Sequence, residues 1–127
     1  MFKETIISII IVISIFSIDI FTQKYTNKAV SEVTTTFSEL KTGLLNKNQD
    51  DIKNKVNEVD EKWSSVHDKL AYYIEHDELE KVDTAIVTMK ANIETEDFSS
   101  AVAELDAGKF VLEHIQEKYA FNLKNVF

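Results

Sequence analysis

The chain has 127 residues, with 14 lysines against 22 acidic residues and a formal charge of −8. It has no cysteine, no proline, no arginine and only two glycines, Gly43 and Gly108. Disulfides, thiolate metal sites, cysteine nucleophiles and lipoprotein anchoring are thereby excluded. Nucleic acid is not an expected partner, because phosphate backbones are held by clustered Lys and Arg.

Chain order begins with "TIISIIIVISIFSIDIF", Thr5 to Phe21, whose only charge is Asp19. As a helix it spans roughly 25 Å, slightly less than the ~30 Å hydrocarbon core of a bilayer. Phe2 extends it at one end, and Asp19 can reach the interface at the other. Three readings compete. A cleaved signal peptide needs small residues directly after the apolar run, yet Thr22, Gln23, Lys24 and Tyr25 follow. A single core strand is too short to use the whole run. An uncleaved signal-anchor over residues 1–22 fits best, with membrane lipid around residues 5–21 and an acidic domain over 23–127. Lys3 and the amino terminus precede the segment while Lys24 and Lys28 follow it, so the charge rule separates the ends weakly. The expected placement is a single pass through the cell membrane with the acidic domain outside.

The scarcity of glycine and proline favours long helices beyond this point. Apolar residues recur at three and four, in the helical period. The first set is Val30, Val33, Phe37, Leu40 and Leu44. The second runs from Ile52 through Val59, Trp63, Val66 and Leu70 to Tyr73. The third is Leu79, Val82, Ile86, Met89 and Ile93, and the fourth runs from Ala101 through Leu105, Gly108 and Leu112 to Ile115 and Tyr119. Asn48 suits the cap of the second helix, with Asp50 and Asp51 in its first turn. Ser99 or Ser100 suits the start of the fourth, and Gly43 the end of the first. No breaker separates Thr5 from Thr42, so anchor and first helix can form one rod. The expected fold is all-α: an N-terminal transmembrane helix followed by a small antiparallel bundle of about four helices. The first stripe, Val30 to Leu44, is also the expected seam for self-association or for another membrane protein.

"IEHDELEKV", Ile74 to Val82, gathers a histidine and four acids. One reading makes it a corner, with Asp77 as N-cap of the third helix, Glu80 completing a capping box, Glu78 in the first turn and His76 closing the second helix. The other makes His76 and Glu78, joined by His114, ligands of a divalent ion. The spacing is neither HExxH nor a calcium loop, so no metal, cofactor or catalytic set is assigned. No serine sits in a nucleophile elbow and no glycine-rich phosphate loop exists; enzyme activity is not expected. Trp63 reads as a core anchor rather than a ligand platform. The tail "KYAFNLKNVF" is apolar for a free end and is expected to fold back on the bundle rather than dock on a partner.

The central Trp63, the phrase from His76 to Val82, Leu112 to Ile115 and the closing Leu123 to Phe127 together resemble the bacterial family called domain of unknown function 4363, over essentially the whole chain. Gln116 stands where the family phrase has proline, which argues against a sharp helix stop after Ile115. The resemblance implies a membrane-anchored helical protein and brings no activity or catalytic residues. It keeps His76, Glu78 and His114 as candidates. The function expected is that of a membrane-anchored interaction or accessory protein; the alternative is an extracytoplasmic ligand- or metal-binding module at the His76–Glu80 corner.

Overall fold

A computed structural model describes the backbone of residues 1–126 and the side chains of residues 1–120. It consists of four helices in chain order: α1 (Phe2–Asn46), α2 (Gln49–Leu70), α3 (His76–Glu94) and α4 (Phe98–Val126). The membrane candidate and the first bundle helix are one helix of 45 residues. Its two parts differ in surroundings rather than in backbone. From Phe2 to Phe21 its large apolar side chains stand exposed, apart from the half-buried Phe16, and the isoleucines are left bare. From Thr26 onward one face is buried, through Ala29, Val30, Val33, Phe37, Leu40 and Leu44.

The helices run up, down, up and down. α1 packs along both α2 and α4, and α4 along α3, while α2 and α3 meet more sparsely. Val33 and Leu40 of α1, Val59 and Leu70 of α2, Val82 and Met89 of α3, and Leu112 and Ile115 of α4 are all fully enclosed in one core. A helix with one apolar stripe gains only by burying it, and each stripe here is buried in the common core between its two neighbouring helices. The stripe from Val30 to Leu44 is therefore not a free seam. Its five residues Val30, Val33, Phe37, Leu40 and Leu44 are at most 2 % exposed within the chain's own core, so partner binding through them is corrected to intramolecular packing.

The two tight hairpins share one design. α1 ends on Lys47 in the left-handed region (φ 54°), with Lys47 N–H donating to Leu44 and Asn48 N–H to the Gly43 carbonyl. After α3, beyond Thr95, Glu96 takes the same left-handed conformation (φ 59°), with Glu96 N–H donating to Ile93 and Asp97 N–H to Asn92. Such paired bonds satisfy the last carbonyls of a helix. The next residue in each hairpin caps the following helix. Asn48 Oδ1 accepts from Asp51 N–H at 3.3 Å, and Asp97 Oδ1 accepts from Ser100 N–H at 3.2 Å. The α4 cap is thus Asp97, not a serine, and Ser100 answers it with its hydroxyl at 2.7 Å. These bonds hold the Asp97 carboxyl below the usual carboxylate range. Gly43 lies inside the last turn of α1, not at its end.

The third connection, residues 71–75, is looser and lies beside the point where α1 leaves its exposed apolar stretch. Ile74 plugs the core from this turn. Tyr73 Oη meets Thr26 Oγ1 at 2.6 Å and donates to the Thr22 carbonyl at 3.3 Å. These contacts fasten the turn to α1. Burial pushes the Tyr73 phenol up, with the Thr26 hydrogen bond pulling the other way. α4 continues past Gln116 without a stop, and Gln116 Nε2 donates to Asn27 Oδ1 at 3.1 Å. Tyr119 packs against the core; the docking expected of Phe121, Leu123, Val126 and Phe127 lies outside the described side chains.

Candidate functional site

The corner differs from its sequence reading in detail. α2 closes at Leu70, and His76 is the first residue of α3, not the last of α2. The N-cap position belongs to Glu75, whose side chain makes no capping bond. Its carbonyl accepts from Glu78 N–H at 3.1 Å, and its own N–H donates to the Tyr119 hydroxyl at 3.2 Å. Asp77 and Glu78 occupy the first turn, where the positive helix end favours acids. Asp77 is not the cap.

Glu78 points inward. Its side chain is 10 % exposed, and its Oε1 lies 3.3 Å from Lys118 Nζ and 3.8 Å from His114 Nε2. His114 and Lys118 are four residues apart on α4, so both project from the face turned to the start of α3. Lys118 also reaches Glu75 Oε1 at 3.4 Å. Burial lowers the Lys118 pKa, but the hydrogen bonds and charges of Glu78 and Glu75 outweigh it and leave the ammonium raised. Glu78 Oε2 is buried with no hydrogen-bond partner among the described residues. An unpaired buried carboxylate oxygen is costly, so this atom is the polar feature of the corner that internal structure does not explain.

Of the three candidate ligands, the structure brings two together. Glu78 and His114 converge; His76 does not. His76 is 84 % exposed and its near carboxylate is Glu80, at 3.9 Å. Lys118 takes the third place around Glu78, and a cation there competes with a metal ion. Among the described residues, no three His, Asp or Glu side chains gather closely enough to hold one. Sequence reasoning missed Lys118, although its spacing from His114 was visible.

A second polar cluster ties α2 to α3. Trp63 is buried, and its indole N–H donates to Asp83 Oδ1 at 2.6 Å. Asp83 Oδ2 lies 3.5 Å from His67 Nε2, and the His67 ring meets Trp63 edge-on at 5.5 Å. Lys90 pairs with Asp60 at 2.8 Å farther along the same boundary. These groups bridge the sparse side of the bundle, and the arrangement is structural.

The sequence model of the family described as "Domain of unknown function (DUF4363)" matches residues 20–126. The match takes in α2, α3 and the bundle half of α1, and the exposed isoleucines before Ile20 precede it. No curated protein and no solved structure matches the chain.

Proposed function

The chain belongs to the domain of unknown function 4363 family, and on that premise we propose that it is a membrane-anchored helical protein that acts by contact rather than by catalysis. Its partner is another membrane protein or a second copy of the chain. The carrying observation is the continuity of α1: one helix presents bare isoleucine to its surroundings over its first half and forms the bundle core with its second. No proline, bulge or loop lies between the halves, so tilt or rotation of the span moves the bundle with it. Because the stripe from Val30 to Leu44 is used internally, contact falls to the span itself and to the outer faces of the bundle. The bundle lies outside the cell, with the amino terminus inside.

Exchange of residues 5–21 for an unrelated apolar helix of equal length tests this reading in the tagged full chain. Capture from gently crosslinked native membranes should yield a dominant membrane protein or a self-dimer that the exchanged chain loses. Identical capture by both chains would overturn contact through the span.

A second reading draws on Glu78 Oε2. It makes the Glu78–His114 pair a ligand site, displaced from the His76–Glu80 corner, in which a divalent ion must displace the Lys118 ammonium from Glu78. Zinc, manganese or calcium bound to the folded state would raise the melting temperature, and a rise abolished by Glu78→Gln would favour this reading over the first.

A further inference from the structure

At the foot of the bundle, Phe21, Thr22 and Tyr25 of α1 face Lys69 at the end of α2 and Tyr72 and Tyr73 of the turn, around a cavity of about 460 Å³. We propose that this cavity binds a phospholipid of the surrounding bilayer, with the phosphate at Lys69 and the glycerol and upper acyl chain against Phe21, Tyr25 and Tyr72. The inference rests on the membrane-anchored reading given above. Three observations carry it. First, position: Phe21 closes the apolar stretch, and Tyr25 stands four residues further, about 6 Å along the helix axis. That is the depth of the headgroups if Ile6 to Ile18 lie in hydrocarbon. Second, chemistry: Phe21 is 72 % and Tyr72 89 % exposed. Tyr72 is an aromatic with a polar tip, suited to the membrane interface, and Phe21 is a wholly apolar ring suited to the acyl side of it. Third, charge: the Lys69 ammonium sits over the Tyr25 ring, 5.7 Å from its centroid, and among the described residues no carboxylate pairs with it. It is a cation on an aromatic wall, open to a phosphate.

The fold holds the cavity ready. Tyr73, through Thr26 and Thr22, pins the turn to α1, so the aromatic walls keep their spacing without a ligand. A lipid seated there would contact span and turn at once and fix how far the bundle stands from the bilayer.

The test uses the full chain in phosphatidylcholine–phosphatidylglycerol vesicles, with a photoactivatable group in the upper acyl chain of the phosphatidylglycerol and adducts mapped by mass spectrometry. Adducts are expected on the peptides holding Tyr25 and Tyr72, and on the span. In Lys69→Gln the cavity adducts should fall about fivefold, and in Tyr72→Ala they should fall as well. Span adducts should persist in both, and Lys53→Gln, at the far end of α2, should change neither. Lys69, Tyr72 and Lys53 are all exposed, so these variants keep the fold. Span adducts with cavity adducts absent, or cavity adducts unchanged by both variants, would overturn the lipid site and leave the anchor standing. A disulfide formed between two copies of a Tyr72→Cys variant in the same vesicles would overturn it in favour of a protein occupant. Absence of span adducts would overturn the anchored reading itself.

Discussion

Trp63 and Asp83 are hydrogen-bonded at 2.6 Å across the α2–α3 boundary, where the bundle is least densely packed. The net worth of such a bond is about 0.5–1.5 kcal/mol where water can take the place of the lost partner, as it can at the half-exposed Asp83. Asp83→Ala should therefore destabilise the bundle by about that much. Trp63 is the sole tryptophan, so its emission should shift to the red in the same variant as water reaches the ring.

At Gly108, α4 passes close to both α1 and α3. A Cβ there would lie 2.9 Å from Phe37 Cε2 and 3.4 Å from the Ala85 methyl. Alanine is the better helix former by about 1 kcal/mol, but overpacking a core costs about 1–3 kcal/mol. With Phe37 enclosed, the clash dominates. Gly108→Ala should lower the denaturation midpoint, and Phe37→Leu in the same chain should recover part of the loss by making room.

Lys47 and Glu96 hold left-handed backbone at the two hairpin tips. That conformation disfavours residues with a Cβ, and glycine takes it freely. Lys47→Gly and Glu96→Gly should each stabilise the folded chain by about 0.5–1 kcal/mol, net of glycine's greater freedom when unfolded. Thermal melting of the two single variants and the double variant checks this. Lys47 and Glu96 line one surface cavity at the same end of the bundle, so the double variant measures the coupling between the two turns.

The Asp97 cap predicts an acid limb. Its carboxyl is held down by Ser100. A depressed folded pKa gives stability that is present above the unfolded value, about 3.9, and lost as pH falls through the folded one. Asp97→Asn keeps a capping oxygen but does not titrate. It should melt close to the parent at neutral pH and lose less stability on acidification. Lys118 works the other way. Its folded pKa is raised, so its contribution is complete below its ordinary value, about 10.4, and fades as pH rises through the folded pKa. Lys118→Met should flatten the alkaline limb.

Local chemistry was legible where the determinant lay within a few residues. Asn48 reads as a cap from its neighbours, and it caps. The absence of any breaker between Thr5 and Thr42 reads as one rod, and α1 is one helix. The spacing of Val59, Trp63, Val66 and Leu70 reads as a buried face, and all four are buried. What covers a face was not legible. The α1 stripe looked the same whether it met another protein or α2 and α4, because periodicity records burial and not the partner. Lys47 and Glu96 hid their turns because neither is glycine. Glu78 and Lys118 were separated by 40 positions, and only the antiparallel pairing of α3 with α4 brings them together.

The central claim is that the first half of α1 lies in a bilayer while the second half builds the bundle. The chain has no cysteine, so single cysteines report without background. The deciding measurement is labelling by a membrane-impermeant maleimide, in the full chain in sealed membranes, at Ile9→Cys, Ile13→Cys, Ser31→Cys and Thr35→Cys. Ser31 and Thr35 are exposed on the bundle half of α1. The account predicts rapid labelling at Ser31→Cys and Thr35→Cys from the outer side, and none at Ile9→Cys or Ile13→Cys until detergent is added. Labelling of all four at similar rates before detergent would contradict it.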